Sequence, residues 1–194
     1  MPGTLTAELK LFLYFILEFH QMFKERHLLV ALWCICYVAR DSIAKGVDEY
    51  TNLALHQPTG QSSKFALGGG EAFLAVDGNT DGIFSTGTTG SVTHTSVSGS
   101  DSNPWWRVTL SSHSYISSIV IHNRVDCCSE RLHGANIFVD NLHVGSLVVV
   151  SGVAKYSFSV EMSGQVVMVN KTSQKLSLAE VVVIGVVHHC KWAK

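Results

Sequence analysis

The chain has 194 residues, of which 46% are hydrophobic and 15% charged, and its formal net charge at pH 7 is -1. This near-neutral charge excludes the basic footprint of a nucleic-acid-binding protein, so we expect no nucleic-acid partner. Apolar residues are dense in the first forty positions, whereas Ser, Thr, Gly and Val dominate from Thr51 onward. The later composition is that of an all-β domain, and its length of about 140 residues is enough to bury a core.

The N-terminal region predicts a targeting segment. Lys24 and Arg26 precede the apolar run "LLVALWCICYVA", and small residues follow it, as in a secretory signal peptide. Met22 is then an alternative start, and a retained segment would instead act as a membrane anchor. We therefore assign residues 1–45 to an extension and signal peptide, 46–186 to the main domain and 187–194 to a tail. The mature protein is expected to be secreted and extracellular.

The main domain is predicted to consist of strands. Short β-branched or alternating stretches are separated by Gly, Ser, Asn and Asp at roughly ten-residue spacing, which indicates an antiparallel β-sandwich. The stretches lie at 105–110, 115–123, 135–140, 142–150, 155–162, 165–170 and 176–187. The region from Gln57 to Pro104 is rich in loop residues, and long loops in compact domains usually carry function.

Sequence motifs of common enzymes are missing. The chain has no G-x-S-x-G, no H-E-x-x-H and no glycine-rich phosphate or dinucleotide loop. We predict a binding protein rather than an enzyme.

The segment "NRVDCCSERLHG" at 123–134 concentrates unusual chemistry. Arg124 and Arg131 each offer a planar fork of N–H donors, and Asp126 is placed to fix one of them. An exposed cluster of ion pairs would explain these charges equally well. Successive side chains of a strand point to opposite faces, so a bond between Cys127 and Cys128 requires a distorted turn. A flat sulfur surface beside two guanidinium groups suits a sugar, which has apolar C–H faces and hydroxyl edges.

Three stretches resemble one known family. "NPWWRVTL", "SSIVIHNRVDCCSERLHGANIFV" and "AVDGNTDGIF" with "SVTHT" are similar to the F-type lectins, fucose-binding proteins related to discoidin domains, over about residues 51–185. The resemblance implies a jelly-roll sandwich. Arg124, Asp126 and Arg131 match the family's sugar motif, and the adjacent cysteines match its disulfide. Its histidine corresponds to His94, although the twenty-nine residues between His94 and Arg124 exceed the motif by three.

The resemblance also implies roles in binding α-L-fucose. His94, Arg124 and Arg131 would hydrogen-bond the hydroxyls and ring oxygen, Cys127–Cys128 would pack on the ring, and Phe84 would receive the C6 methyl group. Fucosylated glycans are therefore the expected partner, and a homo-oligomer remains open.

A second set of residues predicts Ca²⁺ binding. Asp77, Asn79, Ser91 and Glu180 carry oxygen ligands of the type that Ca²⁺ prefers. "DGNTD" by itself would predict only a turn. In the F-type lectins this segment is a calcium loop, and the resemblance assigns the backbone carbonyls of Leu74 and Ala179 to the same ion.

Two other functions stay open at this point. A discoidin-like adhesion module binding a protein or a phospholipid head group would keep the sandwich without needing both arginines and both cysteines. An accessory carbohydrate module of a larger hydrolase is disfavoured because the chain carries no catalytic motif.

Overall fold

The computed structural model describes residues 49–86, 90–96, 101–172 and 175–187. The chain divides into two units, Met1–Asp48 and Glu49–Lys194, and the first lies outside the described residues. The predicted signal or anchor segment falls in that first unit, so its role stays a prediction. Within the described ranges, no helix is both long and apolar enough to cross a membrane.

Seven antiparallel strands and two 3₁₀ helices make up the regular structure of the described residues. The strands are β1 (Thr51–Asn52), β2 (Thr59–Gln61), β3 (Trp105–His122), β4 (Asn136–Val139), β5 (Leu142–Ser146), β6 (Lys155–Asn170) and β7 (Glu180–Val187). The 3₁₀ helices span Ala72–Ala75 and Ser129–Leu132. The prediction of an all-β antiparallel domain is thus confirmed, and β7 includes Val187, which the sequence placed in the tail.

Two long strands replace four predicted short ones. β3 joins the stretches 105–110 and 115–123, and β6 joins 155–162 and 165–170. The predicted breaks were wrong because the polar residues between Thr109 and Ser114 form a register shift in the β3–β6 pairing rather than a turn, and a second shift follows between Ile116 and Ser118. Such bulges let a strand bend without ending. A third boundary was also wrong, since residues 147–150 lie in the loop after β5.

The bent pair of antiparallel strands β3 and β6 belongs to both layers of the domain. β2 and β4 pair with its first part, and β7 pairs with its second part from Ser114 to His122. Buried side chains of both parts belong to one core, which includes Trp106, Val108, Ile119, Ile121, Ile137, Val169 and Val183. The two parts of the sheet therefore face each other across a shared core, as in a sandwich.

Close packing between β7 and β3 generates a stability prediction. A Cβ atom on Gly185 would lie 2.1 Å from the carbonyl oxygen of Tyr115, inside the paired region of the two strands. Gly185→Ala should therefore lower the free energy of unfolding by about 1–3 kcal/mol, as overpacking usually does. Urea denaturation measures the change. Gly60→Ala is the control, because its nearest neighbour would be 3.6 Å away, and equal losses in both variants would contradict the prediction.

Candidate functional site

The candidate site begins where β3 ends, at the buried residue Asn123. Its side-chain oxygen accepts a hydrogen bond from the backbone N–H of Arg124 at 2.8 Å. Its Nδ2 group donates to the carbonyl oxygen of Ser129 at 2.9 Å. One amide thus bridges the start and the middle of the loop that carries the predicted sugar motif.

Arg124 is held by a bidentate ion pair with Asp126. The Nε and Nη2 groups donate to the two carboxylate oxygens, each at 2.7 Å. This hydrogen bonding lowers the pKa of Asp126 below its ordinary value, against an opposing effect of burial. Arg124 is only 7% exposed, and its guanidinium carbon lies 4.7 Å from the centre of the Phe84 ring. The pairing therefore fixes the guanidinium plane, because both carboxylate oxygens are engaged at once.

His94 is paired with Arg131 rather than exposed on a loop. Its Nδ1 atom lies 2.5 Å from the carbonyl oxygen of Thr95, which can only accept a hydrogen bond, so Nδ1 carries the hydrogen. The Nε2 atom is therefore the acceptor for the Nη1 group of Arg131 at 2.6 Å. Burial lowers the pKa of His94, and the charges of Arg131, Arg124 and Lys175 lower it further, although the hydrogen bond to Thr95 acts in the opposite direction. The site therefore favours neutral histidine.

Gly70 packs directly against the backbone and Cβ of His94. His94 N–H donates to the carbonyl oxygen of Gly70 at 3.0 Å. Gly70 has φ of +72°, and a Cβ there would lie 2.7 Å from the Cβ of His94. Only glycine meets both conditions without strain.

Two phenylalanines complete an aromatic wall with the histidine. Phe65, Phe84 and His94 have pairwise ring-centre distances of 5.1 to 5.3 Å. The backbone N–H of Phe84 also donates to Asp126 at 3.4 Å. Direct contacts therefore connect the predicted residues in one group: Arg131 to His94, His94 to Phe84, Phe84 to Arg124 and Arg124 to Asp126.

The sulfur pair forms part of the same loop. Cys127 and Cys128 are bonded to each other, and Cys128 has a left-handed backbone with φ of 58°. The second 3₁₀ helix starts at the next residue and contains Arg131, whose N–H donates to the carbonyl oxygen of Cys128 at 3.1 Å. Cys127 is exposed and Cys128 half-buried, so the pair presents an apolar surface to solvent on the loop that also carries Arg124 and Arg131.

Of the residues predicted to bind Ca²⁺, Glu180 starts β7, and Asp77 and Asn79 lie in the turn after the first 3₁₀ helix. Glu180 is 1% exposed, and its Oε1 atom accepts from the N–H of Gly78 at 3.1 Å. Its Oε2 atom is buried with no hydrogen-bond partner among the described residues. Burial, reinforced by the charge of Asp77, raises the pKa of Glu180 to about 7, and hydrogen bonds from backbone N–H groups oppose this shift.

The other side chains predicted as ligands hydrogen-bond to nearby backbone groups. Asp77 and Asn79 accept backbone hydrogen bonds within their own turn, and Ser91 hydrogen-bonds to the backbone of Ile83. Leu74 lies in the first 3₁₀ helix, and Ala179 immediately precedes β7. Across the described residues, no three His, Cys, Asp or Glu side chains form a metal-binding cluster. A cation here would therefore need carbonyl, amide or hydroxyl oxygens in addition to Asp77 and Glu180.

Sequence reasoning missed three residues of this region. Asn123 could have been found as a polar residue at the end of an apolar strand, next to the motif. Phe65 and Lys171 carry no local signal, because each reaches the site only through tertiary contacts.

Comparisons with known proteins agree with this geometry. Residues 74–174, more than half of the chain, match the family model described as the NedA-like, galactose-binding domain. Fucolectin-1 of Anguilla japonica is 44% identical over 84 residues, which cover 43% of this chain and 42% of the relative. The chain therefore spans less than half the length of that relative.

Solved structures extend the similarity to the whole domain. The F-lectin from serum of the striped bass Morone saxatilis is 37% identical, with a TM-score of 0.61, over 71% of this chain and 49% of that one. The Streptococcus pneumoniae fucose binding module SpX-3 is 31% identical, with a TM-score of 0.58, over 69% of this chain and 96% of the module.

These relatives are by name lectins and a sugar-binding module, which confirms the prediction of a binding domain rather than an enzyme. The matched family model, the lectin relatives and the shared fold lead to one conclusion. The chain belongs to the F-type lectin family, whose fold is that of the discoidin-like, galactose-binding domains.

Proposed function

We propose that this domain binds α-L-fucose at the ends of glycans, without catalysis, and that Ca²⁺ supports the fold beside the sugar site. The observation that carries the proposal is the connected group of His94, Arg131, Arg124 and Phe84 next to the bonded cysteines. The names of the relatives, fucolectin and fucose binding module, support the same sugar.

Each group supplies one part of the recognition. Asp126 occupies the Nε and one N–H of Nη2 of Arg124, so the remaining N–H groups of that fork are the donors for sugar oxygens. Neutral His94 offers Nε2 as an acceptor for a hydroxyl hydrogen, in place of Arg131. Buried donors and acceptors of this kind penalise a sugar whose hydroxyls point elsewhere, because the protein groups would lose their partners.

The apolar surfaces complete the fit. The exposed face of Cys127–Cys128 would pack against the C–H face of the ring, and Phe84 would meet the C6 methyl group. Such a methyl contact adds only about 1–3 kcal/mol of discrimination. The hydrogen-bonding groups therefore determine most of the specificity.

We further propose that the protein acts outside the cell, in recognising sugars on microbial or host surfaces. The serum origin of the striped bass relative supports this setting. A discoidin-like adhesion role remains the second candidate, with a phospholipid head group or a protein as the ligand.

The residues near Glu180 fit a hard cation. A buried carboxylate oxygen without a partner is costly, and Ca²⁺ accepts such oxygens together with carbonyl and amide oxygens. Asp77, Asn79, Ser91 and Glu180, with the carbonyl groups of Leu74 and Ala179, would supply the ligands. When bound, the ion would neutralise Glu180 and link the 77–83 segment to β7.

The proposed sugar site predicts that fucose affinity falls when either guanidinium group is removed. Arg124→Ala and Arg131→Ala should each weaken fucose binding by about 100-fold or more, since hydrogen bonds to charged groups are worth about 1.5–3 kcal/mol each. Isothermal titration with fucose measures the loss, and circular dichroism checks the fold. Arg107→Ala is the control, because Arg107 is exposed and stacks on Trp105 instead.

Competition separates the two candidate functions. Fucose should displace a fucosylated glycan from the parent protein at concentrations where galactose and mannose do not. Equal competition by all three sugars would disprove the specific assignment. Binding to phospholipid vesicles without any binding to sugars would favour the adhesion role.

The hydrogen bonding of His94 predicts a loss of affinity in acid. The pKa of His94 is lowered from its ordinary value of 6.5, so the ring is still mostly neutral at pH 6.5. The neutral form is lost only at lower pH, as the pH falls through the pKa of the folded protein. Protonation removes the Nε2 acceptor and places a positive charge against Arg131. Below that pKa, fucose affinity should fall about tenfold per pH unit, as one-proton linkage requires.

Nuclear magnetic resonance gives the pKa of the His94 ring, and titration calorimetry gives the affinity at each pH. His94→Gln is the control, because glutamine does not titrate and should show a flat profile between pH 7 and 5. If the parent's affinity stays constant through the midpoint measured for His94, the neutral-acceptor role is wrong.

The burial of Glu180 predicts opposite effects of one substitution with and without calcium. The pKa of Glu180 is raised from 4.5 to about 7, so its contribution to stability is present below pH 4.5 and is lost as the pH rises through 7. At pH 8 in chelator, Glu180→Gln should therefore be more stable than the parent, by on the order of 2 kcal/mol.

Added Ca²⁺ should reverse the order. The parent should gain about 2.7 kcal/mol at one hundred times its dissociation constant, and Glu180→Gln should gain little. Thermal unfolding in calcium and in chelator measures both effects. A parent whose melting temperature is the same in calcium and chelator would rule out the calcium proposal.

A further inference from the structure

Lys171 is a buried cation in the loop after β6. It is 5% exposed, although lysine is rarely buried unless it is paired. Its Nζ group donates to the carbonyl oxygens of Arg131 at 2.8 Å and of His133 at 2.9 Å. Its backbone N–H donates to the carbonyl oxygen of Pro104 at 3.1 Å, which anchors the lysine beside the start of β3.

The two carbonyl groups that Lys171 binds lie at the C-terminal end of the second 3₁₀ helix. Helix ends leave carbonyl groups without partners in the helix, and lysine is a favourable partner for them. The helix spans Ser129–Leu132, so Lys171 contacts the backbone of Arg131 itself and of the residue that caps the helix. The fully buried Leu132 lies between them.

The loop that carries the sugar motif, residues 123–134, is therefore held at two places by buried polar side chains. Asn123 holds the start of the helix through the carbonyl of Ser129, and Lys171 holds its end. Asn123 belongs to the loop, whereas Lys171 comes from a distant part of the chain. Burial lowers the pKa of Lys171 below its ordinary value, and the negative charge of Glu130, the acidic residue of the helix, opposes this shift.

We infer that Lys171 is a positioning residue for sugar recognition: it orients Arg131 by binding that residue's backbone, without contacting the sugar. The inference rests on the proposed fucose site. Arg131 donates to His94 at 2.6 Å from a 3₁₀ helix of four residues, whose terminal carbonyl groups need partners from outside the helix. Removal of the ammonium leaves two carbonyl groups without their partner and releases the helix end, so both Arg131 and its contact with His94 shift.

Two substitutions separate positioning from general stability. Lys171→Met keeps the length and the apolar stem but removes every donor, whereas Lys171→Arg keeps charged donors. Lys155→Met is the matched control, because Lys155 is an exposed lysine at the start of β6. Fucose affinity is measured by calorimetry well below the melting temperature, where near-ultraviolet circular dichroism confirms the native fold.

Amide hydrogen exchange supplies a readout that needs no sugar. The N–H groups of His133 and Ala135, which donate to Glu130 and Leu132, report on the helix end. In Lys171→Met these two amides should exchange at least about tenfold faster, and fucose affinity should fall about tenfold, in line with a lost charged hydrogen bond. Amides of β7 should be unchanged. Lys171→Arg should recover part of both effects, and Lys155→Met should show neither.

Three results would overturn the inference. Unchanged exchange at His133 and Ala135 in Lys171→Met would show that the lysine does not order the helix end. Faster exchange with unchanged fucose affinity would show that this order is irrelevant to binding. A general acceleration that includes β7 would assign Lys171 to overall stability. If the parent binds no fucose, the proposed function fails and the sugar role of Lys171 fails with it, while local exchange still reports whether the lysine holds the loop.

Discussion

Burial of positive charge is the constraint on which the binding end of this domain depends. Arg124 and Lys171 are 7% and 5% exposed, and a buried cation is stable only when its hydrogens have partners. Asp126 pairs with Arg124, two carbonyl groups pair with Lys171, and His94 accepts from Arg131. Because Lys171 and His94 come from distant parts of the chain and bind the same loop as Asp126, satisfying these cations fixes the loop, the helix end and the histidine together.

The end of β3 connects the candidate sugar site with the candidate calcium site. The carbonyl oxygen of His122 accepts from the N–H of Ala179, next to Glu180, and the N–H of Val125 donates to the carbonyl oxygen of Gly82 at 2.9 Å. A Cβ on Gly82 would lie 2.8 Å from the carbonyl oxygen of Asn123, so the two segments are in close contact. A conformational change in the 77–83 segment would therefore displace the loop that carries the sugar motif, because the backbones of the two segments are in direct contact.

Burial favours the neutral form of the titrating group in both candidate sites, but only the proposed sugar site uses that form. Burial favours neutral His94, and the neutral ring is the form that can accept a hydrogen bond from a hydroxyl or from Arg131. Burial also favours neutral Glu180, yet a cation site needs the carboxylate. The neutral form of His94 thus suits the proposed sugar site, whereas the proposed calcium site would require Glu180 to be ionised by a bound cation.

The sequence by itself determined what depends on neighbouring residues. The alternating stretches predicted an antiparallel β domain, and the spacing in "NRVDCCSERLHG" placed two guanidinium groups, a carboxylate and two sulfurs within one loop. Resemblance of these same residues to the F-type lectins indicated the family. The ion pair of Arg124 with Asp126 and the bond between Cys127 and Cys128 follow from this proximity in the chain.

Only the tertiary structure decided which distant groups complete the site. The twenty-nine residues between His94 and Arg124 could not locate the histidine, because they include the whole of β3, and the place of a residue upstream of that strand depends on contacts across the domain. Phe65 and Lys171 showed no local pattern, since a contact across the domain depends on the packing of both layers. The polar residues predicted to divide β3 and β6 form a register shift instead, because pairing with neighbouring strands and a shared core outweigh local propensity.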